Sequence, residues 1–399
     1  MPDTSINFSI SCLPRIEFGS GKVNLLPEII KQFGNNVLLV TGSRFLNQTN
    51  QWQKTVEGFT TNDISYEQFT CVGEPSPTLI DEAVKNFSSK SIDVVVAIGG
   101  GSALDAAKAI AGLLKVQTSV MNYLEGVGPE WKYEGPAVPF IAVPTTAGTG
   151  SEATKNSVLS VIDRNVGFKK SFRDEKLVAH TALVDPDFLC SCPQALIAAN
   201  GMDALTQLLE SYVSSKANPM IDALSLSGLE NVFEALPLCY EAVSNNPKAR
   251  SQLAYGAMLS GITLAQVGLG SVHGLASPLG AFFPIPHGEV CGLLLASATR
   301  QNLQALRSVD SEHPVLTKYA HVGRLISGEP GLNDDNAQVA LVDTLSQWSK
   351  AMKMPKLSDY GVVESDLDHI VKHCRGSSMK TNPIVLSDGQ VRIILEECL

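Results

Sequence analysis

Four polar side chains in the C-terminal half of the chain have the types and positions to hold a divalent cation. Asp203 and Gln207 stand four apart in GMDALTQ, a stretch with strong helical periodicity, so both project from one helix face. A carboxylate inside an apolar stretch is costly to bury unless it is paired or bound to metal. His273, in SVHG, and His287, in PHG, follow at a distance, and Pro278, Pro284 and Pro286 between them place the two imidazoles off any common helix. A carboxylate, an amide and two imidazoles would give an ion four ligands with room for a substrate oxygen. A lone buried histidine is more often a structural residue than a ligand, and spacing alone leaves both readings open.

A second constellation lies in the N-terminal half. VVVAIGGGSALDAAKAI reads as a buried strand, a triple-glycine turn and a helix. The glycines let the backbone approach a ligand closely. Ser102 is a candidate N-cap for a helix starting at Ala103, whose unpaired N–H groups would suit a pyrophosphate. The motif is neither G-x-G-x-x-G nor a Walker A loop, and a tight turn without a ligand is the alternative. PTTAGTGSE, residues 144–152, is a second polar turn after a buried strand, with hydroxyls and glycines at the edge where open α/β sheets collect ligands.

The elements that would position these groups fall into two parts. VLLV at 37–40, VVVAI at 94–98 and FIAV at 140–143 are buried strands alternating with helices, which argues for a parallel α/β unit. Residues 6–18 alternate apolar and polar, a strand interrupted by Pro14 and therefore an edge strand or bent hairpin. From Pro193 onward, helical periodicity dominates over 194–215, 220–242, 248–268 and 337–352. The expected division is an α/β domain over 1–190 and an all-α domain over 191–399, with a cleft between them as the ligand site.

Composition narrows the functional classes. The 399 residues are 44% hydrophobic and 18% charged, enough to build a large core. The net charge of −10, with no basic stripe, argues against nucleic acid as a partner. No apolar run approaches the ~20 residues of a membrane span. The N-terminus lacks the basic and apolar regions of a signal peptide, so a cytoplasmic location is expected. Eight cysteines are too sparse for a disulfide scaffold, and the C-x-C at Cys190 and Cys192 has no partner pair at zinc-site spacing; all eight are read as reduced thiols.

Taken together, the motifs resemble the group III, or iron-containing, alcohol dehydrogenases. The resemblance runs from FGSGKV near the N-terminus to TNP near the C-terminus. It includes PSPT at 75–78, GGGSALDAAKAI at 99–110, PTTAGTGSEAT at 144–154, LVDP at 183–186, GMDALTQLLESY at 201–212 and LGSVHGLASPLGAFFPIPHG at 269–288. It implies a Rossmann-like dinucleotide-binding domain, a helical metal-binding domain and the dehydroquinate synthase-like fold. The family's metal ligands, one Asp and three His, map onto Asp203, Gln207, His273 and His287, with Gln207 standing where His is usual. Ser277 stands where the family often carries a His suspected in proton relay, and a hydroxyl is the poorer acid–base group.

The resemblance further implies NAD or NADP as cofactor and one divalent metal, Fe²⁺ first, with Zn²⁺ or another ion as alternatives. It places the cofactor against Gly99, Gly100, Gly101, Ser102 and Asp105, with Thr145, Thr146, Thr149 and Lys169, or Lys170 beside it, around ribose and nicotinamide. Gly42 occupies a strand end where NAD-preferring members carry Asp. The missing carboxylate, beside Ser43 and Arg44, leaves room for a 2′-phosphate. The expected activity is reversible hydride transfer between an alcohol and its aldehyde, on a substrate that Ser277 hints is polar, such as a sugar acid. Alternatives are a metal-independent maleylacetate-reductase-like enzyme, a relative of the dehydroquinate synthase and glycerol dehydrogenase branch, and a non-catalytic cofactor-binding protein. The alternating segment near the N-terminus, needing a partner strand, predicts a homodimer.

Overall fold

The structure is a computed structural model that describes residues 6–42 and 49–399. Six strands form a parallel sheet: β1 (Arg15–Phe18), β2 (Asn36–Thr41), β3 (Ser65–Thr70), β4 (Val94–Gly99), β5 (Phe140–Pro144) and β8 (Thr181–Val184), in the order β1-β8-β5-β4-β2-β3. Between β5 and β8 the chain makes an antiparallel pair, β6 (Asn156–Val161) with β7 (Phe168–Arg173). The helices of this half are α1 (Leu26–Lys31), α2 (Asn50–Thr61), α3 (Pro77–Phe87) and α4 (Gly101–Leu113).

The central strands are apolar on both faces because both faces are covered. Leu38, Val40, Val95, Ala97 and Ala142 pack with Ile80, Leu104 and Ala107 of α3 and α4. Their alternates Val37, Leu39, Val96, Ile98 and Ile141 pack with Leu26, Ile30 and Phe59 of α1 and α2. The chain leaves β2 outward to β3, then returns to lay β4 on the other side of β2 and continues to β5. The crevice at the carboxyl ends of β2 and β4 is therefore the point where strand order reverses, the place such sheets bind ligands.

Two expectations are corrected here. Only Arg15–Phe18 of the alternating segment 6–18 is strand, and it lies parallel to β8. Residues 6–14 find no neighbouring strand among the described residues; the Ser11 N–H instead donates to Gln266 Oε1 at 2.7 Å. The helix after the triple glycine starts at Gly101 rather than Ala103, with extended Gly100 at the cap position and Ser102 inside the first turn.

From Gln194 onward the chain is helical: α5 (Gln194–Val213), α6 (Pro219–Ala242), α7 (Pro247–Val267), α8 (Ser271–Phe282), α9 (His287–Val309), α10 (Pro314–Ser327), α11 (Asp334–Ala351), α12 (Leu367–His373) and α13 (Asp388–Glu396). The expected spans differ from the observed ones by a few residues at their ends. Helix α5 is buried along nearly its whole length, packed by α6, α7 and α9, so residues on every side of it face protein. Pro278 does not break the chain but sits inside α8; the turn before α9 holds Pro284 and Pro286. Helices α7 and α8 meet at 98°, and among the described residues no single helix is long and apolar enough to cross a membrane.

The two halves touch through glycine. Gly150 has φ +59°, and a Cβ on it would lie 2.3 Å from Gly261 Cα of α7; a Cβ on Gly261 would lie 2.0 Å from the Gly150 carbonyl oxygen. Either side chain would force the turn after β5 off the helical half.

Candidate active site

The turns after β2, β4 and β5 meet at the strand-order reversal. A Cβ on Gly99 would lie 3.0 Å from the Gly42 nitrogen, and one on Gly101 2.7 Å from both Thr149 Oγ1 and Cγ2. Gly100 has Thr146 Oγ1 at 3.2 Å from its notional Cβ, and the Thr145 N–H donates to the Gly99 carbonyl at 2.9 Å. Gly42, Gly99, Gly100, Gly101, Thr145, Thr146 and Thr149 are thus brought together, with the N-terminus of α4 opening beside them. Ser43 and Arg44 lie outside the described residues.

Asp105 and Lys108 brace this corner from α4. Asp105 accepts from the Ser151 hydroxyl at 2.5 Å and from the Val158 N–H at 3.0 Å, so both its oxygens are engaged. Lys108, with its side chain fully buried, places Nζ 2.8–2.9 Å from Ser151 O, Ser151 Oγ, Thr154 Oγ1 and Asn156 O. Next to Ser151, burial pushes the Glu152 carboxyl up to about 7.

The ligand cluster sits where α5, α8 and α9 converge. Asp203 Oδ1 lies 3.3 Å from His273 Nε2 and 3.7 Å from His287 Nε2. His273 Nδ1 is 2.7 Å from Glu210 Oε2, while Glu210 Oε1 accepts from the Val272 N–H at 2.7 Å. That contact holds the Nδ1 proton, so Nε2, which here lies within hydrogen-bond distance of Asp203, is the nitrogen that a metal would take in exchange for its proton. Gln207 lies on the same face of α5, and its Oε1 accepts from the Ser260 hydroxyl at 2.6 Å. Cys291, one turn after His287 on α9, brings Sγ to 3.7 Å from His273 Nε2 and 3.9 Å from His287 Nε2.

The electrostatics of the metal-free cluster favour positive charge between the carboxylates, held as a proton on His273 that a metal would displace. Burial disfavours charge on Asp203, yet His287 and His273 overcome it and hold the carboxyl below its usual range. Burial likewise opposes a proton on His273, but Cys291, Asp203 and Glu210 raise it well above an ordinary imidazole. Burial and then the Lys169 cation push His287 down to about 4, leaving it a neutral donor near pH 7. Asp203 Oδ2 and His287 Nδ1 are buried with no hydrogen-bond partner among the described residues, an unusual cost unless something else occupies the space.

One cleft of about 710 Å³ joins the two constellations, lined by Gly101, Ser102 and Thr149 at one end and by Gln207, His273 and His287 at the other. Lys169, on β7, projects into it with Nζ 2.5 Å from Glu74 Oε1, and the Ser277 hydroxyl donates to the Lys169 carbonyl at 3.3 Å. Lys170 lines the same cleft. Glu74, Lys108, Glu210 and Cys291 went unread in the sequence. Two of them carried a signal: Glu210 is the i+7 residue after Asp203, and Cys291 the i+4 residue after His287.

Comparison with known proteins gives one consistent result. The family model described as "Iron-containing alcohol dehydrogenase" matches residues 14–186, and that of the "Fe-containing alcohol dehydrogenase family, C-terminal" matches residues 197–399. Alcohol dehydrogenase 4 of Schizosaccharomyces pombe is 33% identical over 96% of this chain and 87% of its own length. The NAD-dependent methanol dehydrogenase of Bacillus methanolicus is 29% identical over 97% of this chain and 98% of its own. Among solved structures, a 1,3-propanediol oxidoreductase superposes with a TM-score of 0.88 at 26% identity, covering 98% of this chain and all of its own.

Proposed function

The chain belongs to the iron-containing alcohol dehydrogenase family, and we propose on that premise that it moves a hydride between an alcohol or its aldehyde and a nicotinamide cofactor, with Asp203, His273 and His287 holding a divalent metal. The observation carrying this reading is the single cleft that runs from the glycine-rich turns to a buried carboxylate–imidazole cluster. The donor set fits a metal: an orphaned carboxylate oxygen, and an imidazole whose Nδ1 is held by Glu210 so that Nε2 faces the cluster, converge in one buried place.

A metal bound there would supply Lewis acidity to the substrate oxygen. The chain's own residues do the rest. The N-terminus of α4, with Gly100, Gly101 and Ser102, offers backbone N–H groups to the cofactor pyrophosphate. Thr145, Thr146 and Thr149 supply hydroxyls beside it. Asp105 fixes the turn through Ser151, so its role is to position rather than to touch. Lys169, oriented by Glu74, stands at the substrate end, and Ser277 adds a polar wall without a group that titrates near neutral pH.

The finer assignments are as follows. Residues 1–190 form the dinucleotide domain and 191–399 the metal and substrate domain. Gly42 at the β2 end leaves room for a 2′-phosphate, so NADP serves at least as well as NAD. Lys216 and Lys380 line the cleft and make no ion pair among the described residues, which favours a substrate with an anionic or strongly polar end. The chain works in the cytoplasm as a homodimer joined through residues 6–14 and the open edge of β1.

Chelator treatment followed by metal analysis tests the central reading. One divalent ion per chain, loss of turnover on its removal and little metal in His273→Ala are expected. Full turnover in metal-free protein would overturn it in favour of a metal-independent reductase.

A further inference from the structure

We propose that the Cys291 thiolate, rather than the Gln207 amide, completes the metal site, giving this chain a sulfur ligand beside Asp203, His273 and His287. The inference rests on the metal reading above and specifies its chemistry. One ligand atom from each of Asp203, His273, His287 and Cys291 lies within 4.8 Å of the others, a spread that one ion drawing its ligands to ~2.0–2.3 Å can close. Cys291 follows His287 by one turn of α9, so both side chains leave the same helix face.

Its surroundings set it apart from three of the other buried cysteines. The Cys71, Cys374 and Cys398 thiols point at the backbone carbonyls of Gly73, Val371 and Leu293. Cys291 instead has two imidazole nitrogens within hydrogen-bonding reach of sulfur and is fully buried. It does not line the cleft, whereas Gln207, His273 and His287 do, so it approaches the cluster from the protein side. The Gln207 oxygen, meanwhile, lies 2.6 Å from the Ser260 hydroxyl, within hydrogen-bond distance.

A set of one carboxylate, two imidazoles and one thiolate is the donor chemistry of zinc or another borderline-soft ion, not of magnesium, calcium or manganese. On binding, a sulfur–metal bond forms and the thiol proton passes to solvent; no electron is transferred.

Co²⁺ serves as the probe. The full chain is freed of metal, loaded with one equivalent of Co²⁺ and read for the intense near-ultraviolet band of thiolate-to-cobalt charge transfer. Cys291→Ser and Gln207→Ala are read in parallel, and Zn²⁺ affinity is measured by competition with a chromophoric chelator. The band should be present in the wild type and in Gln207→Ala and absent from Cys291→Ser. The serine variant should bind Zn²⁺ more weakly by over about 100-fold, since loss of an outer partner alone costs 10–100-fold. Stoichiometric Co²⁺ without the band in the wild type, or a band that survives in Cys291→Ser, overturns the sulfur ligand while leaving the metal site standing. Wild-type chain that takes up no Co²⁺ overturns both.

Discussion

Glu210 touches neither cleft nor cofactor turn, yet its replacement by Gln should be felt at the metal. Each carboxylate oxygen serves a different donor: Oε2 faces His273 Nδ1 and Oε1 faces the Val272 N–H, both at 2.7 Å. A glutamine of the same shape has one carbonyl oxygen and one NH₂, so one of these donors must then face another donor. Leaving a buried donor unsatisfied costs about 1–3 kcal/mol. For a chain of this size, that corresponds to a fall in Tm of about 1–4 °C, scaling the unfolding entropy with length. If the rotated amide keeps Val272, the imidazole loses its anchor and its tautomer, and metal affinity should fall about 10–100-fold, or about 1.4–2.7 kcal/mol. Two assays separate these losses: thermal unfolding of metal-free protein, and Zn²⁺ competition against a chromophoric chelator. A variant with lowered Tm but unchanged Zn²⁺ affinity would refute the argument that Glu210 orients a ligand, reducing it to a structural carboxylate.

Other outcomes follow from the same geometry. Lys108→Met removes a buried cation from four acceptors and should cost about 3–5 kcal/mol in urea unfolding; adding Asp105→Asn should recover part of it, and an unperturbed single variant would contradict the bracing role. Glu152 holds its proton up to about 7 when folded against 4.5 as a reference carboxyl. The folded state therefore loses up to about 3 kcal/mol of relative stability as pH rises from 4.5 to 7. Glu152→Gln should gain on the wild type in Tm between pH 5 and pH 8, and a pH-independent difference would contradict the burial argument. Gly42→Asp should move the NADH/NADPH ratio of kcat/KM toward NADH by at least about tenfold, the equivalent of ~1.4 kcal/mol; an unmoved ratio would mean the β2 end does not read the cofactor. Ile6 is 74% and Phe8 40% exposed, so deleting residues 1–12 should halve the mass seen by light scattering, and an unchanged mass would remove that segment from the dimer contact.

The central strands and the long helices were legible because their signals are local. Residues 37–40, 94–98 and 140–143 are apolar at every position, which only a strand covered on both faces requires. The segment 6–18 misled for the opposite reason. Its alternation is a local fact, but strand pairing is a contact with residues 181–184 that no local pattern encodes, and only the part beyond Pro14 reaches them. The start of α4 was displaced by two residues because Gly100 takes the cap position without a side chain, where the sequence reading sought an oxygen. At the site, Asp203 and Gln207 were visible as an i, i+4 pair and the histidines through their motifs. Cys291 carried only its i+4 spacing from His287, and a thiol in an apolar helix reads as core until the imidazoles of His273 and His287 are seen beside it.

The Gly150–Gly261 contact supplies no side chain to the proposed metal site, yet it bears on reaction distance. Hydride transfer needs donor and acceptor carbons held about 3–3.5 Å apart, and a misplacement of about 1 Å can cost 100-fold in rate. In the proposed function the cofactor's corner belongs to the sheet and the metal-holding residues to the helices, and the backbones of the turn and α7 meet here with no side chain between them. A single methyl group at either glycine would act as a shim of about that thickness. The pair therefore works as a spacer of zero length, setting how near the two reactants can come although neither residue supplies a functional group.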